Sequence, residues 1–468
     1  MVGNGEEGER VSVMHEAVQQ PRRGLDRAGL RVVLIASLGG ALEFYDFIVF
    51  GTFAAYISRA FFPASDPVVS LLSTFAVFAV GYLSRPLGGL LFGWRGDRAG
   101  RRESFMLSLA IMSLATIAMG LLPGYAAIGA WASAGFVLLR VVQGFCLGGE
   151  LPGAITYAVE VVPVRHATLA CGVVFGCVSA GVLLATGVSA LLHALLPAEL
   201  MEAWGWRIAF LIGGALGVVS WQLRRTLEES PSFLRMKARL AAARGAAPNP
   251  IALLFRSETA RIVLGISATC VVAVFNGLLF AQIPAYLTRT LSYPPGSVAI
   301  ALNVASAAMS VSLVAATWVA DIVPRRLVYR VGCIVIAAGA VPAFQAMAAH
   351  SLPLPLLFLL IGLSACFTHG TFAAILADLF PTPVRFTGVA FTMNIGAVVF
   401  SGTAPLIATL LISATGRIDA PAILLVAAAL LALIASFWLK GAEGEISRDA
   451  ELEPIPLSSA ALITSAPR

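Results

Sequence analysis

Charge is scarce in this sequence: Asp, Glu, Lys and Arg make up 12% of its 468 residues, about half the share a soluble chain carries. Most of the surface therefore does not face water. Cysteine is also scarce. The six (Cys146, Cys171, Cys177, Cys270, Cys333, Cys366) all fall in apolar stretches, and none has CxxC spacing. That excludes a disulfide framework and a zinc site. There is no HExxH, no GxSxG, no phosphate-cradling GxxxxGK[ST] and no large water-soluble catalytic domain, so no enzyme, cofactor or metal is expected. Residues 1–20 are polar, and the apolar run after Arg22-Arg23 is too long, and carries acids in its middle, for a cleaved signal.

What is present is apolar. Hydrophobic residues make up 59% of the chain and mean hydropathy is +0.89. Runs of about 20 residues, each enough to cross a bilayer, recur at 31–57, 68–94, 104–122, 131–158, 167–192, 206–223, 261–288, 297–320, 327–348, 354–377, 386–412 and 420–440. The expectation is an all-α membrane protein with twelve transmembrane helices in two six-helix bundles. Its parts would be a segment 1–30, a bundle 31–223, a linker 224–260, a bundle 261–440 and a tail 441–468.

The net charge of +6 has no basic domain outside the spans to present it to nucleic acid. It follows instead from topology. With the N-terminus inside, 25 of the 31 Lys and Arg fall on the inner side, which makes both termini and the basic linker cytoplasmic. All seven tryptophans (for example Trp94, Trp131 and Trp318) sit near span ends, where an indole belongs.

The halves echo each other. Asp97 precedes Arg101-Arg102 after the second span, and Asp321 precedes Arg325-Arg326 at the same spacing after the eighth. Glu160-x-x-Pro163-x-Arg165 after the fourth span is echoed by Asp378-x-x-Pro381-x-x-x-Arg385 after the tenth. Two such halves form the architecture of a rocker-switch carrier, with its site near the midplane.

Five ionisable residues fall inside spans: Glu43, Asp46, Arg85, Arg140 and Glu150. Each is costly in hydrocarbon and needs a partner or a wet cavity. At about 1.5 Å per helical residue, Glu43, Arg85 and Arg140 share the middle third of the membrane. Glu43 and Asp46 lie three apart, on one helix face. Two readings fit them: a proton-coupling pair whose affinity for protons shifts when a neighbouring arginine is engaged, or structural partners of Arg140. Arg85, beside the kinking Pro86, either grips a substrate carboxylate or bridges to Glu43 or Asp46. Arg140 is equally open between substrate contact and a helix–helix role. Gly144 and Gly148 form a small-residue packing stripe. Glu150, nearer the inner end, reads as a packing or gate contact, and His369 as a hydrogen-bonded helix contact.

The segment Gly93-x-x-x-Asp97-Arg98-x-Gly100-Arg101-Arg102 resembles the loop signature of the major facilitator superfamily. Further segments are similar to its metabolite:proton symporter family, which carries citrate, 2-oxoglutarate, dicarboxylates, shikimate, proline and betaine. They are Leu42-Glu43-Phe44-Tyr45-Asp46-Phe47, Arg85-Pro86-Leu87-Gly88-Gly89, Arg140-x-x-Gln143-Gly144-x-x-x-Gly148-Gly149-Glu150, Trp204-Gly205-Trp206-Arg207, Leu223-Arg224-Arg225-x-Leu227-x-Glu229, Leu379-Phe380-Pro381-x-x-Val384-Arg385-x-Thr387-Gly388 and Asn394-Ile395-Gly396 through Gly402-Thr403-Ala404-Pro405. The resemblance implies proton coupling at Glu43 and Asp46. It implies substrate contacts from Arg85, Arg140, Tyr45, Gln143, Gln282, Tyr286 and Asn394. Asp97, Arg101, Arg102, Glu160 and Arg165 would form an inner gate, with Asp97 facing the positive N-terminal end of the eleventh helix.

The sequence also departs from the family. The second-half loop, Thr317 to Arg326, has Pro324 where a glycine is expected, so a weaker gate is expected there. The tail beyond Lys440 has Pro454, Pro456 and no heptads, against the coiled coil of osmosensing members.

The expected function is secondary active uptake of a small organic acid (di- or tricarboxylate-like) or zwitterion with protons, by a monomer in a bacterial inner membrane. An exporter of the same fold, or a sensor that has lost transport, fits the same pattern. Buried arginines paired with acids favour anion uptake.

Overall fold

A polypeptide in hydrocarbon must satisfy its own backbone hydrogen bonds, and long apolar helices are the solution this chain uses. The computed structural model describes residues 27–63, 67–242, 249–439 and Ile446. The expectations for the N-terminal segment up to residue 26, for 243–248 of the linker and for nearly all of the tail lie outside the described residues.

Ten of the described helices are long and apolar enough to cross a bilayer. We number the spans in chain order: α1 Arg27–Thr52, α2 Pro67–Arg98, α3 Arg101–Leu121, α4 Ala130–Val161, α5 Ala167–Leu195, α6 Trp206–Arg224, α7 Thr259–Thr290, α8 Pro295–Ile322, α9 Arg325–Ala348, α10 Leu354–Leu379, α11 Thr382–Thr415 and α12 Pro421–Ser436. Two of these complete the ten to twelve: α2, which carries Arg85 and Pro86 within its 32 residues, and α12, which is shorter at 16. Every helix begins and ends within a few residues of the run that announced it.

The helices fall into three roles. The α2 helix packs against both α4 and α11, and α5 against both α1 and α8, so α2–α11 and α5–α8 are the two seams between the halves. Helices α1, α4, α7 and α10 add the remaining walls of a central cavity, while α3, α6, α9 and α12 contribute nothing to its lining. The α2–α4 contact is close because glycines form it. A Cβ on Gly148 would overlap the Arg85 carbonyl and fall 2.6 Å from the Gly89 nitrogen. One on Gly144 would fall 2.7 Å from Ser84 Oγ.

Two spans are not plain α-helices. In α7 the hydrogen bonding widens to π-helical turns over Gly277–Gln282 and again over Tyr286–Thr290, and α11 does the same over Ala397–Ser401. Between the halves, short helices Pro231–Ala242 and Pro250–Ser257 occupy the linker. The second is started by Pro250 and capped by Asn249, whose side chain accepts from the Ile251 N–H at 3.1 Å.

Candidate functional site

The central cavity has a volume of about 120 Å³. That is below the ~300–1,000 Å³ of pockets for drug-sized ligands and suits a small solute. Its charge comes entirely from the first half. Glu43 and Asp46 on α1, Arg85 on α2 and Arg140 on α4 all line it, and both carboxylates are buried.

The four charges form two neighbouring pairs. Arg85 Nη2 donates to Glu43 Oε1 in an ion pair, and the Arg85 guanidinium lies 4.8 Å from the Tyr82 ring centre. Asp46 is the carboxylate next to Arg140 and has tighter partners of its own. Thr116 Oγ1 and Gln143 Nε2 donate to Asp46 Oδ2 at 2.7 and 2.8 Å. Arg140 donates to Gln143 Oε1 and stacks 4.1 Å from the Phe50 ring centre. Glu43 Oε2, Arg85 Nε and Asp46 Oδ1 are buried with no hydrogen-bond partner. Three lone polar atoms in one wall are expensive unless something else meets them.

The second half faces this wall with uncharged groups: Thr269 and Asn276 on α7 and Asn394 and Ser401 on α11. His369 Nε2 lies 3.2 Å from Asn276 Oδ1, with Nδ1 3.0 Å from the Ala365 carbonyl. Asn394 also ties the halves together, donating to the Gly148 carbonyl at 2.8 Å. Aromatic faces complete the lining: Phe44, Phe47, Tyr82, Phe175, Phe280 and Phe372.

Of the residues singled out in the sequence, Glu43, Asp46, Arg85, Arg140 and Asn394 thus meet on one cavity. Four others do not line it. The Tyr45 hydroxyl donates to the Ala209 carbonyl at 2.8 Å, and Gln143 stands behind Asp46. The Tyr286 hydroxyl donates to the Ile418 carbonyl at 2.8 Å, and Gln282 lies 3.4 Å from Thr409. Thr116 and the aromatic lining were not foreseen; a threonine or phenylalanine in an apolar run carries no sign of which way it points.

A buried polar cluster joins the halves where α2 and α4 end and α11 begins. The N–H groups of Phe386 and Thr387, at the start of α11, donate to Asp97 at 3.2 and 2.9 Å, and Thr387 Oγ1 adds a third bond at 2.5 Å. A carboxylate on a helix N-terminus is the favoured arrangement. Arg101 pairs with Asp97, bonds both oxygens of Glu160 at 3.1 and 3.2 Å, and reaches across to the Thr382 carbonyl at 2.7 Å. Arg385 meets Glu160 from the other half at 3.0 Å. Arg102 sits to one side, donating to the Arg225 carbonyl at 2.8 Å, and Arg165 is exposed. Glu229 accepts the Arg101 N–H at 2.9 Å. Glu150, on α4 but outside the cavity lining, pairs with Arg224 at 2.6 Å and accepts from Ser108 at 2.9 Å.

The second-half loop makes a smaller cluster of the same kind. Asp321 accepts from the N–H groups of Thr168 and Leu169 at 3.1 and 3.2 Å, at the start of α5. Arg325 pairs with Asp378 at 3.1 Å. Pro324 stands at the N-terminal cap of α9.

With this geometry in view, the Major Facilitator Superfamily family model matches residues 36–399 and 264–467. The chain belongs to the major facilitator superfamily. It is 33% identical over 418 residues to the proline/betaine transporter of Salmonella typhimurium, covering 88% of this chain and 83% of that one. It is 34% identical over 411 residues to an inner membrane metabolite transport protein of Escherichia coli, covering 86% and 92%. Among solved structures, the proton:xylose symporter XylE bound to 6-bromo-6-deoxy-D-glucose superposes with a TM-score of 0.73 at 17% identity, over 91% of this chain and 99% of that chain. The protein is thus a multi-pass membrane protein and a secondary transporter.

Proposed function

We propose that the chain takes up a small zwitterion of the proline or betaine type together with protons, by alternating access across a bacterial inner membrane. The observation that carries this is the Arg85–Glu43 ion pair in the cavity wall, with Arg85 Nε and Glu43 Oε2 both unpartnered. A zwitterion brings both complements. Its carboxylate suits the guanidinium fork of Arg85, and its cationic nitrogen suits Glu43 and the aromatic faces of Phe44, Phe47 and Tyr82.

Charge narrows the substrate further. Two arginines and two carboxylates line the cavity, so their formal charges cancel. A zwitterion keeps that balance in a region where an uncompensated charge is costly. A di- or tricarboxylate leaves negative charge unmatched, and this favours the zwitterion among the classes the sequence left open. The relatives named as proline/betaine transporters support the same choice.

Coupling follows from competition for Arg85. When substrate carboxylate engages the guanidinium, Glu43 loses its partner and takes the co-transported proton, and the substrate nitrogen then rests on the aromatic faces. In this reading the bundles 31–223 and 261–440 rock about the central site, linked by 224–260. The positive-inside distribution puts the termini and the Asp97 gate in the cytoplasm, so the closed gate marks a state sealed on that side.

The test is uptake by proteoliposomes with the outside made acidic. Labelled betaine or proline should accumulate, and a proton ionophore should abolish accumulation. Accumulation of citrate or succinate with no uptake of either zwitterion would overturn the proposal.

A further inference from the structure

A second space among the described residues is not on the transport route. Behind α7, on the side away from the central cavity, lies a second cavity of about 370 Å³ among α7, α9, α10 and α12. Leu278 and Leu279 form its inner wall, Gly339 and Leu360 stand on α9 and α10, and Leu425 comes from α12. Its one polar side chain is Ser364, whose hydroxyl is already bonded to the Ile361 carbonyl at 2.7 Å. Such a lining offers nothing to water, ions or a polar solute.

The cavity is not sealed. Gly339 and Pro342 on α9, Leu352 in the connection to α10 and Leu360 on α10 line it and are exposed on the outer surface of the helix bundle, which is the surface that meets lipid. A Cβ at Gly339 would meet no atom within 4 Å, and Pro342 interrupts the helix beside it. The opening is therefore continuous with the bilayer interface. It lies near the end of α9 opposite Arg325, hence in the leaflet opposite the Asp97 and Asp321 gates.

Its inner wall is a π-helical turn. Leu278 and Leu279 belong to the π-helical turn Gly277–Gln282, and the same stretch of α7 presents Asn276 and Phe280 to the central cavity. Phe275, which lines the outer cavity, lies edge-on to His369 at 5.2 Å, and His369 holds Asn276. Widened turns of this kind are frequent at functional sites. Material packed behind α7 therefore limits how far that wall can retreat.

We propose that this lateral cavity is a lipid site that takes one acyl chain of a bilayer phospholipid from the leaflet opposite the gates. The chain backs the π-helical turn of α7 and so acts on the movement of the substrate-facing wall. Van der Waals packing is the driving force, since lipid tails are as apolar as the lining. The site does not depend on which solute is carried.

The test uses the full-length protein reconstituted with a phosphatidylglycerol bearing a photoactivatable diazirine in mid-chain, with cross-links mapped by peptide mass spectrometry. Labelling should concentrate on 335–347 and 352–364 over the more exposed residues Leu406 and Leu410 of α11. Gly339→Phe fills the space without a clash and should remove the concentration while leaving the α11 labelling in place. Ala343→Phe serves as a second filling variant should the first not purify as a monodisperse protein. Uniform labelling round the bundle, or enrichment that survives a filling variant, overturns the proposal. If the chain acts on α7, the filling variant should also change the rate of solute exchange at equal concentrations without changing binding affinity. An unchanged rate, with the labelling lost, would remove the action on α7 and leave the lipid site.

Discussion

Arg85 carries the argument at the scale of single residues, because two partners compete for it. If substrate carboxylate uses its planar fork, Arg85→Lys keeps the charge but loses the parallel bonds, costing about 1.5–3 kcal/mol or roughly ten- to a hundredfold in affinity. Calorimetry on purified protein measures this, and unchanged affinity would take Arg85 out of the site. The carboxylates make a second prediction. Glu43→Gln removes the group paired with Arg85, and should abolish accumulation driven by a pH gradient while sparing exchange at equal concentrations, since exchange need not release the proton. Asp46→Asn should do less, because Thr116 and Gln143 already satisfy one of its oxygens. Wild-type accumulation in the Glu43→Gln variant would move the proton site elsewhere. The sequence showed that these charges share a depth, since depth follows from counting residues along a helix. It left their pairing open, because which arginine meets which acid depends on helix rotation and on contacts between α1, α2 and α4.

The gates belong to the scale of elements, since each clasp joins the end of one helix to the start of another. Asp97→Asn removes the charge facing the α11 N-terminus, and Asp321→Asn does the same at α5. Each loses charge-assisted bonds worth about 1.5–3 kcal/mol, so each variant should populate the state open on that side. A cysteine at Leu151, in the cavity, should then react faster with an impermeant thiol reagent added from the gate side. An unchanged rate in both variants would show that the clasps do not hold the gate. Packing of α2 on α4 gives a further prediction. Gly148→Val drives a side chain into the Arg85 backbone and should destabilise the protein by about 1–3 kcal/mol or more, seen as a lower melting temperature in detergent. A melting temperature equal to wild type would mean that α2 and α4 can separate freely. The glycine spacing made this seam legible in advance. Arg385, which completes the Glu160 cluster, stood in a quoted motif, yet its place became visible only when α4 and α11 met.

At the scale of the whole molecule, topology is the prediction. A reporter fused within 235–248 should read cytoplasmic and one at 195–203 external; a periplasmic signal from the first would overturn the six-plus-six reading. The sequence by itself determined the number, order and ends of the helices, because hydrocarbon forces each apolar run into a helix whose length the bilayer sets. It also determined the family and the paired aspartates that end α2 and α8, because those follow from residue types at fixed spacing along one chain. Only the tertiary structure decided that Asp321 clasps as Asp97 does, that Glu43 takes Arg85 while Asp46 takes Thr116 and Gln143, and that a second cavity opens behind α7. Each of these depends on the rotation of one helix against another, and near-uniformly apolar helices carry little periodicity from which that rotation could be read.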